Sequence, residues 1–192
     1  MVRNELRGYE KTWIRFLDRT TRVIRSFNGH SPKIHPEAFV SEAAYVVGYV
    51  EIGAGSSVWP GSVIRGDSTE PIIIGQNTCV QDNSTIHCDG KGARIGDNVV
   101  LGHNVLCHAD VVEDNVTIAN GATVSNGTEI GAGSVIAAGA VLVDNSKVPP
   151  GVIMVGVPAK ERGPVSEAQA ERFKRTAEHY AERGRQYKAA GL

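Results

Sequence analysis

Aromatic side chains are scarce in this chain of 192 residues, which holds only four phenylalanines against 22 glycines. That balance implies a turn-rich fold packed with aliphatic residues. The length fits one domain of ordinary size with a real core. No uninterrupted apolar run of about 18 residues occurs, so no membrane span is expected. Neither sign of charge dominates: 20 Lys/Arg against 21 Asp/Glu leave a formal net charge of −1. Nothing there points to a nucleic-acid partner. Cysteine is also sparse, since Cys79, Cys88 and Cys107 form an odd set without Cys-x-x-Cys spacing. No secretory signal precedes them, and a reducing, cytoplasmic setting is the expectation.

What the chain does have is a repeat. Ile34, Val40, Val46, Ile52, Val58 and Ile64 recur at six-residue intervals, with Ala38, Ala44, Val50, Ser56 and Ser62 four places after the first five. The frame resumes at Ile74, Val80 and Ile86, then at Ile95, Leu101 and Cys107. After one dropped residue it runs from Val112 to Val148 through Ile118, Val124, Ile130, Ile136 and Leu142. Six residues are three strand periods, so every anchor points to the same side of its strand. Glycine and asparagine between anchors supply turns. Three such hexads close a triangular coil, which predicts a parallel β-helix of about six coils over residues 26–160.

Two flanks remain. Residues 161–192 are expected to carry a C-terminal helix over 166–189, capped by Ser166 with Gln169 and striped by Phe173, Ala177, Tyr180, Gly184 and Tyr187. Residues 1–25 hold seven Lys/Arg and three Asp/Glu, with Leu6, Tyr9, Trp13 and Phe16 on one helical face. They read as a basic amphipathic extension, docked or partly ordered; Glu5, Glu10 and Asp18 argue against an organellar presequence.

Three of the six histidines fall within 22 residues. His87 directly follows anchor Ile86, and His108 directly follows anchor Cys107, three hexads on. Both therefore share a face, about 4.8 Å apart along the stack, a spacing that suits two ligands of one metal. Arg65 falls in the same column one coil earlier if 67–73 is an insertion. His103 sits two places after Leu101, round a corner from His108. One subunit would struggle to aim all three imidazoles at one point; a homotrimer about a threefold axis could, by drawing His103 from the neighbouring chain. Zinc suits three neutral imidazoles with an open fourth position, with Fe2+ or Co2+ as alternatives. Cys107 is a core anchor, whereas Cys88, in a loop, stays open as a further ligand. His30, His35 and His179 lack the register and read as structural.

The segments SFNGHSPKIHPEAFV, GSSVWPGSVIRGD, QDNSTIH, IGDNVVLGHNVLCH and GVPAK closely resemble the γ-class carbonic anhydrases and their homologues, from about Ser26 to Tyr187. The resemblance implies a left-handed β-helix, zinc held by His87, His103 and His108 across a homotrimer, and an interface pair of Arg65 with Asp67. It implies Gln81 beside the metal-bound solvent and Tyr180 near the site. The implied activity is reversible hydration of CO2 to bicarbonate by a metal-bound hydroxide. The chain also departs from the family pattern. Ser68 follows Arg-Gly-Asp where the best-characterised active members carry glutamate, and the CDGKGAR loop lacks the glutamate that relays protons. His108-Ala109-Asp110 replaces His-Gly-Cys, Cys79 replaces a common asparagine, and His179 replaces the asparagine before Tyr180.

Two other readings stay open: a CoA thioesterase or acyltransferase on the same scaffold, and a non-catalytic trimer stapled by its metal. An acyltransferase needs a general-base histidine free of metal and does not call for Arg65, Gln81 and paired histidines. A zinc thioesterase could use them unchanged.

Overall fold

A computed structural model describes residues 23–192, and among these the chain winds into a three-sided parallel β-helix followed by one α-helix. The first face holds β1 (Ile24–Arg25), β4 (Tyr45–Gly48), β7 (Val63–Gly66), β10 (Thr85–His87), β13 (Leu106–Cys107), β16 (Thr123–Val124) and β19 (Val141–Leu142). The second holds β2 (Lys33–Ile34), β5 (Val50–Ile52), β8 (Ile72–Ile74), β11 (Ala93–Ile95), β14 (Val111–Val112), β17 (Glu129–Ile130) and β20 (Lys147–Val148). On the third lie β3 (Phe39–Val40), β6 (Ser57–Val58), β9 (Cys79–Val80), β12 (Val100–Leu101), β15 (Thr117–Ile118), β18 (Val135–Ile136) and β21 (Val152–Val155). β22 (Lys160–Pro164) adds to β21 in antiparallel sense.

The described residues thus make seven coils, where the hexad frame predicts about six. The frame ends at Val148, yet Met154 pairs with Ile136 in the next anchor position. At the other end, Ile24 pairs with Val46 across an irregular segment bridged by Phe27 and His30. The amphipathic helix expected within residues 1–25 otherwise lies outside the described residues.

The anchors form the axis of the prism: Val46, Ile64, Ile86, Cys107, Val124 and Leu142 on the first face are fully buried. Each fully buried aliphatic side chain contributes about 1.5–3 kcal/mol. The small corner residues have a second use. Ser84 Oγ donates to Gly102 O at 2.7 Å and accepts from Val105 N at 3.0 Å, tying the coil of His87 to the coil of His103. Ser56, Thr78 and Ser134 make the same reciprocal bridge in other coils. Turns stack likewise: a Cβ on Gly61 would meet Asn83 Oδ1 at 2.2 Å, and both residues adopt left-handed φ, so glycine fits there and other residues do not.

The helix α1 (Glu167–Ala189) starts at Ser166 with the expected Gln169 capping box. It folds back on β3, β6 and β9 of the third face, burying Ala177, Ala181 and Gly184. Tyr180 and Tyr187 meet the edge of Trp59, with centroids 5.7 and 5.0 Å away. Gly184 permits this approach, since a Cβ there would lie 3.1 Å from Ser57 Cβ. No helix among the described residues is long and apolar enough to cross a membrane.

Candidate metal centre

The first face has two edges. The chain reaches it round a leading corner, after β9 or β12, and leaves it round a trailing corner, after β10 or β13. Pairing of Ile86 with Cys107 and of His87 with Arg65 sets Arg65, His87 and His108 in one column at the trailing corner. The rings of His87 and His108 stand edge to face, 4.9 Å between centroids. His103 instead occupies the leading corner, in the turn between β12 and β13, and its Nδ1 lies 3.1 Å from Asp82 Oδ2. The corner predicted to separate His103 from His108 is there.

Two insertions at the trailing corner, between β7 and β8 and between β10 and β11, stack on one another. Ser68 Oγ donates to Cys88 O at 2.5 Å and accepts from Gly90 N at 3.2 Å; Thr69 Oγ1 donates to Gly90 O at 2.9 Å. Ser68 is thus a loop pin. The stacked loops place Asp67 against His87: Oδ1 lies 2.9 Å from Nε2, while Oδ2 takes a hydrogen bond from Arg65. Burial pushes the Asp67 carboxyl up, but hydrogen bonds and charge from Arg65 and His87 outweigh it and hold the group below the ordinary carboxylate range.

An ionised Asp67 accepts a hydrogen bond from Nε2–H of His87, the tautomer that puts the ring's lone pair on Nδ1. That atom is buried without a hydrogen-bond partner, an arrangement that costs about 1–3 kcal/mol if nothing takes the lone pair. The other two imidazoles repeat the pattern. His108 Nδ1 lies 2.9 Å from Asn126 Oδ1, and His103 Nδ1 faces Asp82, so Nε2 is the open nitrogen of each. An oxygen acceptor fixing the far nitrogen is the usual support of a metal-ligating histidine. The histidines outside the hexad register are used otherwise: His30 stacks on Tyr49, His35 Nδ1 accepts from Glu37 N, and His179 lies against Tyr180.

Donor atoms of His87, Asp89 and His108 lie within 4.8 Å of one another, a group able to hold a metal ion. His103 is outside that group. So is Cys88: it is buried in the core cluster, and desolvation pushes its thiol up, which disfavours the thiolate a metal needs. Burial likewise raises the core thiols, Cys107 to about 11 and Cys79 to about 12.

Gln81 and Tyr180 belong to the leading corner. The pairing of Val80 with Leu101 carries on to set Gln81 beside Gly102 and Asp82 beside His103. Gln81 is buried and borders Cys79 and, through it, the helix. Burial pushes the Tyr180 phenol up, and Cys79 and the Asp82 carboxylate add to the shift. Within one chain the expected site residues therefore form two groups: Arg65, Asp67, His87 and His108 at the trailing corner, and Gln81, His103 and Tyr180 at the leading one. Sequence reasoning missed Asp82, Asn126 and Asp89. Counting one coil back from His103 would have found Asp82; Asn126 stands one place beyond Ser125, the residue in register with His108, and Asp89 is two places from His87.

Residues 111–144 match the bacterial transferase hexapeptide family (six repeats). The γ carbonic anhydrase 2 of Arabidopsis thaliana mitochondria is 34 % identical over 166 residues, 83 % of this chain and 59 % of that protein. The chain thus spans little more than half of that relative. A carbonic anhydrase of Geobacillus kaustophilus is 34 % identical over 168 residues, 87 % of this chain and 92 % of the relative. The chain belongs to the γ-carbonic anhydrase-like hexapeptide-repeat family. This family's members carry other names as well. An uncharacterized transferase of Bacillus subtilis, YtoA, is 45 % identical over 86 % of this chain and 97 % of its own. The solved BC4754 gene product of Bacillus cereus, described as a candidate acetyltransferase, superposes with a TM-score of 0.84 at 32 % identity, covering 87 % of this chain and 97 % of that one.

Proposed function

We propose that the protein is a zinc-dependent γ-class carbonic anhydrase that converts CO2 and water to bicarbonate at sites shared between the chains of a homotrimer. The observation that carries this reading is the matched support of three histidines on opposite edges of one face, each with an oxygen on one ring nitrogen and the other left open.

The two edges explain why a trimer is needed. Three first faces turned toward a common axis bring the trailing corner of each chain against the leading corner of the next, a head-to-tail contact that closes as a ring. His87 and His108 of one chain then meet His103 of the next, and Gln81 and Tyr180 arrive with that His103. Zinc held by three neutral imidazoles supplies acidified water, with a pKa of about 7. The protein's own groups do the rest. Asp67 fixes the rotation of the His87 ring through Nε2 and leaves Nδ1 open, and Arg65 helps to keep Asp67 ionised. Asn126 and Asp82 hold the other two rings at fixed rotation. Gln81, buried and able to donate or accept, orients the oxygens of water and substrate.

Fe2+ and Co2+ suit the same donors. The transferase-named relatives favour the acyltransferase reading, and a single oxygen-supported ring with an open nitrogen would serve as its base; three such rings on the two edges of one face favour the metal. The test is zinc content and stopped-flow CO2 hydration on one preparation. One zinc per chain, with hydration abolished by chelation and restored by zinc, is the expected result. Full zinc without hydration would reject the carbonic anhydrase reading and leave a thioesterase or a metal-stapled trimer.

A further inference from the structure

The trailing corner holds a third donor that the shared site does not use. Asp89 lies on the loop between β10 and β11, and its Oδ1 is 3.8 Å from His87 Nδ1, the nitrogen left without a partner. Two donors each about 2.1 Å from one zinc stand roughly 3.4 Å apart, so this pair is close to the separation a single ion requires. His108 completes a group whose donors all lie within 4.8 Å. The loop can supply the remaining closure. Its root is pinned by Ser68 to Cys88 and Gly90, whereas the Asp89 side chain is 66 % exposed. A carboxylate so placed stays hydrated until it binds and pays little to reach inward.

We infer that one chain captures its metal alone, through His87, Asp89 and His108, and that assembly then brings His103 of the partner subunit to an ion already in place. The inference rests on reading His87 and His108 as metal ligands. Two imidazoles and one carboxylate are a sufficient hold for a divalent cation. The loop that has no glutamate is, on this account, a loading arm.

The test is a Co2+ titration of the full-length protein, followed by visible absorption and by metal analysis after gel filtration. Wild type, His103→Ala, Asp89→Asn and the double variant are compared, with Asp89→Ala as a second loop variant and circular dichroism to check folding. His103→Ala should still bind one Co2+ per chain, more weakly than wild type, and adding Asp89→Asn should weaken it at least a further hundredfold. Equal Co2+ affinity of His103→Ala and the double variant would overturn the inference. So would complete loss of Co2+ by His103→Ala beside a saturated wild type, which would leave the shared site standing. A wild type that takes up no Co2+ would remove the metal reading itself, and the loading arm with it.

Discussion

The first and second faces are built from the same hexads, yet their outward columns differ in kind. On the first, Tyr45, Val63, Thr85, Leu106, Thr123 and Val141 stand in register without one charge, and Tyr45 and Leu106 are exposed. On the second, the column runs Lys33, Glu51, Ile73, Arg94, Val111, Glu129 and Lys147. Lys33 pairs with Glu51 at 2.7 Å, and Lys147 with Glu129 at 2.6 Å. On the third face, β3, β6 and β9 are covered by α1. Inward positions are set by the core and are alike on every side; outward positions answer to what lies outside. A charged ladder answers to water; an uncharged ladder flanked by histidine corners would, in the proposed trimer, answer to another chain.

The largest effect should come from charging that uncharged ladder. Leu106→Asp is expected to convert the assembly to monomers by analytical ultracentrifugation and to lower CO2 hydration at least a hundredfold. The fold should stay intact, because the side chain points away from the core. A smaller effect should follow from loosening one ring at the trailing corner. Asn126→Ala leaves the trimer assembled and weakens zinc roughly 10- to 100-fold by competition with a chromophoric chelator, the usual cost of losing such a support. The smallest should come from the matching change on the second face. Ile73→Lys, in a ladder already charged, should shift stability by no more than about 0.5 kcal/mol and leave both assembly and hydration as they are. If Ile73→Lys dissociated the protein and Leu106→Asp did not, the assignment of the two faces would be reversed.

Most of the β-helix was legible because a six-residue anchor period leaves little freedom about which side chains face inward. It failed where the period failed. Between Ile24 and Ile34 four extra residues break the frame, so β1 was invisible, and at Met154 an unbranched side chain behind two prolines hid an anchor in perfect register. The strand β22 runs antiparallel and obeys no hexad; it caps the open edge of β21, a task of backbone pairing. The site was legible as far as columns could be counted, which placed Arg65, His87 and His108 together and put His103 round a corner. That Gln81 travels with His103 follows from the same count, but that Tyr180 does needed the helix, whose docking follows from Gly184 and the Trp59 edge and from no spacing in the sequence. Asp89 escaped notice because the loop was read only for a glutamate.

The central claim is that each site takes His87 and His108 from one chain and His103 from the next. Subunit complementation tests it most directly: a His103→Ala chain and a His87→Ala/His108→Ala chain are unfolded together, refolded as a mixture with zinc, and assayed for CO2 hydration. Each variant refolded alone should be inactive. In random mixed trimers roughly a quarter of the interfaces regain all three histidines, so about a quarter of wild-type hydration should return. Mixed trimers that form, as shown by differential tagging, yet stay as inactive as their parents would contradict the shared site.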